Sequence, residues 1–206
     1  FARAESVIDG ISVYDVRQKT GSLLAGESPA VADIVSPVPD SGTAAATGYA
    51  AASGIPLREA LIKNRYTGRT FIMPTQAKRE MAVRMKLNPV RGHITGKSVV
   101  LVDDSIVRGT TSRRIIALVR EFGAKEVHLR VASPPIIAPC YLGTDFPTRE
   151  ELISHHKSVG EVREAIEATS LAHISLKGLV GAIGIPCSHL CTGCLTGKYP
   201  VLARTE

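Results

Sequence analysis

Between Ser98 and Thr111 a buried strand, a pair of acids and the start of a helix follow one another without a gap. Ser98-Val-Val-Leu-Val102 is a short apolar run rich in β-branched residues, and it gives way at once to Asp103-Asp104-Ser105. A continuous apolar run of this length, bounded by a polar turn, reads as a strand buried on both faces, the pattern of a parallel sheet. The residues that follow, Ser105-Ile-Val-Arg-Gly-Thr-Thr111, are mostly small or hydroxylated. They lead into a helical pattern over 110–122, with Ile115, Ile116, Leu118, Val119 and Phe122 on one stripe and Gly123 as the stop.

The same grammar occurs earlier. Asp33-Ile-Val-Ser-Pro-Val38 reads as a strand, Pro39-Asp-Ser-Gly-Thr43 as its turn, and the Ala-rich Thr43–Ser53 as the helix, ended by Gly54. A further strand is expected over 126–132, and further helices over 13–25, 159–168 and Leu176–Ile183. Strand, loop, helix and strand in repetition specify an α/β fold, a mainly parallel sheet flanked by helices. The polar, basic stretch 67–88 has no evident place in a sheet and reads as one long loop, and a loop of that length in a compact domain carries a function or is disordered.

The order of residues after the second strand points to a sugar phosphate. Adjacent acids repel, so Asp103 and Asp104 suit a place where hydroxyl donors or a cation compensate them. Free backbone N–H groups at a helix start, with the hydroxyls of Ser105, Thr110 and Thr111, suit an anion. Acids would take the ribose hydroxyls and the cradle a 5-phosphate. The plainer reading, that Asp-Asp-Ser only caps a helix, needs one such residue and not a dozen in this order. Gly92-His-Ile-Thr-Gly-Lys-Ser98 is one residue short of a P-loop and precedes its strand, so its topology is wrong for that cradle.

Composition removes several classes. The net charge is +6, but Lys and Arg are spread out, densest over 63–91, and aromatics make up only 4%. That is too few for stacking platforms, and no helix-turn-helix or zinc-finger spacing occurs, so a small polyanion explains the charge better than nucleic acid does. No apolar run of ~18 residues is present and no membrane span is expected. A chain that opens on Phe1-Ala-Arg-Ala without Met is expected to belong to something longer. Of four cysteines, Cys187, Cys191 and Cys194 crowd together while Cys140 lies far upstream. The spacing suits a four-cysteine zinc site or an iron–sulfur cluster, and residues 187–206 read as a Cys-rich segment after a main domain over 1–186.

The stretch Asp103-Asp-Ser-Ile-Val-Arg-Gly-Thr-Thr111 resembles the 5-phosphoribosyl-1-diphosphate (PRPP) motif of type I phosphoribosyltransferases, in the form seen in the amidophosphoribosyltransferase family. Phe1-Ala-Arg, Ile8-Asp-Gly, Val38-Pro-Asp-Ser41, Lys63-Asn-Arg-Tyr66, Gly68-Arg-Thr-Phe-Ile72, Val90-Arg91 and Thr196-Gly-Lys-Tyr-Pro200 are similar to family segments in family order. The resemblance implies the type I phosphoribosyltransferase fold. It also implies an enzyme of the pentosyltransferase class that makes 5-phosphoribosylamine and pyrophosphate from PRPP and glutamine-derived ammonia, the first step of purine biosynthesis.

By that resemblance the ribose 5-phosphate would lie on Asp103, Asp104, Ser105, Arg108, Gly109, Thr110 and Thr111. Pyrophosphate would lie on a turn at Asp40 and Ser41 where a strained peptide exposes N–H groups, with Mg²⁺ near Ser41, Asp103 and Asp104. The basic segment fits a closing loop in which Lys63, Arg65 and Arg69 neutralise the departing pyrophosphate, and closure would exclude water from an oxocarbenium-like state. Many family members hold a [4Fe–4S] cluster. The matching ligands are Cys140, Cys191 and Cys194, with a fourth upstream of Phe1; counting alone would enlist Cys187, which the resemblance leaves as a bystander. An N-terminal glutaminase domain of the longer chain, purine nucleotide inhibitors, self-association and a cytoplasmic (or, in a plant, plastid) location are also implied. Without the glutaminase, this chain would at best use free ammonia. A salvage phosphoribosyltransferase would instead need a hood over a nucleobase, and a non-catalytic PRPP-binding regulator would tolerate loss of the basic loop.

Overall fold

The computed structural model describes residues 2–64, 87–142 and 148–201. Two short strands, β1 (Val7–Ile8) and β2 (Ile11–Ser12), pair antiparallel ahead of helix α1 (Val13–Glu27). Strand β3 (Ile34–Pro37) leads into α2 (Thr43–Ser53). Next, β4 (Leu61–Lys63) pairs antiparallel with β5 (Leu87–Pro89), followed by the short α3 (Arg91–Ile94). Strand β6 (Ser98–Asp103), α4 (Thr110–Glu121) and β7 (Glu126–Val131) form one strand–helix–strand unit. After α5 (Ile153–His156) and α6 (Val159–Ala165) come β8 (Ser170–His173) and α7 (Leu176–Ile183). A 3₁₀ turn at Cys187–His189 and α8 (Gly193–Thr196) follow.

Strands β3, β6, β7 and β8 form a parallel sheet in that order. Every residue of β3 and β6 is buried, as continuous apolar runs require. Alternate side chains feed two cores. Val99 and Leu101 of β6 pack with Ile115, Ile116 and Val119 of α4 and Val162 of α6. Val100 and Val102 pack on the other face, with Leu24 of α1 and Ala46 and Tyr49 of α2.

The α/β expectation holds, and the boundaries of α2 and α7 match those expected. Several features depart from the sequence expectations: the β1–β2 pair, α3, α5 and α8 were not anticipated, and the helix expected over 159–168 ends at Ala165. Residues 67–88 are not one continuous loop, because Leu87 and Asn88 belong to β5 and pair with Lys63 and Ile62. β8 was not anticipated: it is a four-residue edge strand with only Leu171 fully buried, and so carries little apolar signal. The near-P-loop segment ends where β6 begins, ahead of its strand as expected. No helix of the described residues is long and apolar enough to cross a membrane.

Candidate functional site

Parallel strands deliver their carboxyl ends to one edge, where open α/β sheets bind ligands. β3 and β6 are neighbours in register, Pro37 beside Val102, so the turns after them meet. Gly42 makes the meeting close: a Cβ there would stand 2.1 Å from the Val102 carbonyl oxygen, so only glycine fits. The contact carries Ser41 Oγ to 3.5 Å from Asp103 Oδ1, the outer limit of a hydrogen bond. The Pro39–Asp40 peptide within this turn is cis.

Asp103 is buried at the end of β6 and accepts the backbone N–H of Asp104 at 2.9 Å; Asp104 in turn accepts that of Ser105 at 2.8 Å. Burial, and then the charge of Asp104, push the Asp103 carboxyl up to about 8. Beyond the acids, a cavity of about 190 Å³ is lined by Asp103 and residues 105–112. It thus includes every expected ribose-phosphate residue except Asp104, and adds Ile106, Val107 and Ser112. Ser112 extends the hydroxyl run Thr110-Thr111, a signal that was legible in the sequence.

Among the helices of seven residues or more, capping sets the site apart. α1, α6 and α7 each begin on a serine, Ser12, Ser158 and Ser175, whose side chain accepts a first-turn N–H. α2 and α4 begin on Gly42 and Gly109, with no side-chain cap. These two helix starts are the ones that face the ligand edge, and each leaves first-turn N–H groups for an anion. Asp103, Asp104 and Ser105 all lie upstream of the Gly109 cap, so they do not serve as a helix cap.

Lys63, at the end of β4, lies 2.6 Å from Asp40 and so reaches the turn that holds Ser41. Both partners are more than half-exposed or at its threshold, 50% and 62%, so the pair adds little stability and leaves Lys63 available. Arg65 and Arg69 lie outside the described residues. In sequence they fall between β4 and β5.

The cysteines gather elsewhere. The N–H groups of Ile137 and Ala138 both donate to the Cys194 carbonyl, at 2.9 and 3.1 Å, and Tyr199 donates its hydroxyl to Pro139 O at 2.5 Å. The segment leading to Cys140 is thereby fastened to α8. The Cys194 thiol is pushed up by burial first, then by the neighbouring Cys140, with Cys191 a smaller contributor. Cys187 is exposed in its 3₁₀ turn. Among the described residues no three His, Cys, Asp or Glu side chains converge as a ready metal cage. Cys140 and Cys191 nonetheless lie near enough to act on the Cys194 thiol, and thiols are the ligand type that an iron–sulfur cluster or a zinc ion takes. At the sheet edge, two adjacent acids and a hydroxyl, Asp103, Asp104 and Ser41, supply the oxygen ligands that a Mg²⁺ takes, and a cation would relieve the repulsion between the acids.

A family model for the phosphoribosyl transferase domain matches residues 18–165. This chain belongs to that family. Over all 206 residues the chain is 59% identical to the amidophosphoribosyltransferase of Methanocaldococcus jannaschii, of which it covers 43%. A solved structure described as the allosteric regulatory enzyme of purine biosynthesis superposes with a TM-score of 0.92 at 53% identity, over 100% of this chain and 45% of that one. The glutamine PRPP amidotransferase of Bacillus subtilis, solved in complex with ADP and GMP, gives a TM-score of 0.90 at 54% identity, over 97% of this chain and 45% of its own. The chain therefore has the type I phosphoribosyltransferase fold and spans a little under half the length of the relatives it matches.

Proposed function

We propose that this chain is the phosphoribosyl-transferring part of an amidophosphoribosyltransferase, forming 5-phosphoribosylamine and pyrophosphate from PRPP and glutamine-derived ammonia at the first step of purine biosynthesis. The observation that carries this reading is the pair of uncapped, glycine-started helices, α2 and α4, on either side of the buried Asp103. Two anion sites with acids between them match a ribose bearing a phosphate at one end and a diphosphate at the other.

In this reading residues 105–112 take the 5-phosphate on backbone N–H groups and hydroxyls, with Arg108 at the cavity wall. Asp103 and Asp104 accept hydrogen bonds from the ribose hydroxyls. Asp40 and Ser41 receive the diphosphate, and Lys63, followed in sequence by Arg65 and Arg69, adds positive charge where the leaving group departs. Ammonia forms the new C1–N bond, the C1–O bond to pyrophosphate breaks, and the amine then loses a proton. The chain's share of catalysis is positioning and electrostatics, with no covalent intermediate. Ser41, Asp103 and Asp104 are the residues that would hold Mg²⁺, which when bound supplies positive charge to the diphosphate. Cys140, Cys191 and Cys194 would hold a [4Fe–4S] cluster with a ligand upstream of Phe1, and residues 187–206 form the Cys-rich segment of this unit. A glutaminase domain in the same protein would supply the ammonia. Purine nucleotides would act as inhibitors, copies would associate, and the protein would work in the cytoplasm or, in a plant, the plastid.

The test is pyrophosphate release by the full-length protein supplied with PRPP, Mg²⁺ and either glutamine or ammonium. Release that depends on the nitrogen source is expected, and Asp103→Asn should lower kcat/KM by about a hundredfold or more. Release that needs a nucleobase would favour salvage, and PRPP binding without turnover would favour a regulator; either result overturns the reading.

A further inference from the structure

The ribose-phosphate loop does not stand alone. Three contacts tie it to a segment more than forty residues away in sequence. Arg108 Nε donates to Glu151 Oε2 at 2.6 Å, and its Nη2 is directed at the same oxygen. The Ile153 N–H donates to Val107 O at 2.9 Å. The Ile153 side chain lies over Gly109, where an added Cβ would meet Ile153 Cδ1 at 2.6 Å. Gly109 has φ +74°, so the loop turns into α4 through a conformation that glycine adopts freely, and the isoleucine closes the space above it.

These contacts involve three successive loop residues, Val107, Arg108 and Gly109, and all come from residues 151–153. We infer that Glu151 is a positioning residue for phosphate binding: through Arg108 it holds the loop in its anion-binding shape before the ligand arrives. The inference rests on the phosphoribosyl reading above and deepens it. A cradle of backbone N–H groups binds only as well as those groups are aimed, and holding them beforehand removes an ordering cost from binding. Arg108 directs both its Nε and Nη2 at the carboxylate, so its main contribution runs through the loop and not through its own charge on the phosphate. The opposite arrangement, in which Arg108 grips the phosphate and Glu151 competes for it, changes the sign of the effect.

Affinities of the full-length protein for ribose 5-phosphate and, separately, for inorganic pyrophosphate decide between them. Glu151→Gln should weaken ribose 5-phosphate binding about three- to fivefold, the scale of an exposed ion pair, and leave pyrophosphate affinity, which depends on the Asp40–Ser41 turn, unchanged. Arg108→Gln should weaken ribose 5-phosphate binding by a similar factor, and the double variant should be no weaker than the poorer single one. Tighter ribose 5-phosphate binding by Glu151→Gln would overturn the inference in favour of competition. Equal loss for both ligands, or no loss, would overturn it as well, the first because it marks general loosening. Failure of the unaltered protein to bind either ligand would instead overturn the phosphoribosyl reading, and this inference with it.

Discussion

His173 ends β8 in the same row of the sheet as Asp103, with Val131 between them. Its Nδ1 lies 3.0 Å from the Ser133 carbonyl oxygen and must carry the ring proton, while Nε2 is buried without a hydrogen-bond partner. Protonating Nε2 would bury a charge, and burial accordingly lowers the His173 pKa below its ordinary 6.5. The unfolded chain therefore takes up this proton first as the solution is acidified. Stability from a neutral His173 is complete above pH 6.5 and is lost as pH falls through that value toward the lowered native pKa. His128, lowered first by burial and then by Arg130, adds a loss of the same sign. Thermal unfolding of His173→Phe should accordingly change less than that of the unaltered protein between about pH 7 and pH 5. Parallel profiles would show that the imidazole does not titrate as its burial requires. Nothing in the sequence marked His173, because its partners, Val131 and Ser133, lie about forty residues upstream. Asp103 and Ser41 were legible for the opposite reason, since one ends a strand and the other sits in the turn that follows one.

Among the elements, α1 depends on a residue that its own sequence does not contain. Arg130 of β7 is 5% exposed and donates to Ser28 O at 2.9 Å and Pro29 O at 3.2 Å, just past the end of α1, and to Ser170 Oγ of β8 at 3.0 Å. It therefore joins the helix end to two strands. Arg130→Met keeps much of the volume but removes these charge-assisted hydrogen bonds, leaving Ser28 O to the Tyr49 hydroxyl and Ser170 Oγ to His128 Nδ1. It should lower stability by about 2–3 kcal/mol, read from denaturant unfolding. A loss below about 0.5 kcal/mol would mean that water serves those carbonyls equally well. The contrast with the strongly signalled elements is physical. β3, β6, α2 and α4 are specified by local patterns: β-branched apolar runs, alanine density, and glycines at their ends. β8 and the β4–β5 pair are short, mixed in polarity and held by partners distant in sequence, so no window of the chain reveals them. The glycine starts of α2 and α4 were present in the sequence as turn residues. Their meaning emerged only when the other long helices proved to be capped by serine.

For the molecule as a whole, two regions with different chemistry share one loop system beyond the carboxyl edge of the sheet. The connection from β7 runs through Ile137, whose N–H meets Cys194 O and whose carbonyl oxygen lies 2.7 Å from His155 Nδ1. His155 belongs to α5, which begins at Ile153, the residue that covers Gly109 of the phosphate loop. The cysteine region and the ribose-phosphate loop thus lean on the same short helix. Sequence spacing alone could not choose among the four cysteines, because Cys140 is remote from the other three and only the fold brings it to Cys194. In the fold Cys140 and Cys191 bear on the Cys194 thiol, whereas Cys187, exposed as Cys191 is, sits on a separate 3₁₀ turn. Iron and sulfide measured in the anaerobically prepared full-length protein should therefore remain at the unaltered level in Cys187→Ser and fall severalfold in Cys140→Ser or Cys194→Ser. Loss of iron from Cys187→Ser would make it the fourth ligand and remove the need for one upstream of Phe1. Retention of iron by Cys194→Ser would exclude the cysteine site altogether, since that is the thiol on which both Cys140 and Cys191 bear.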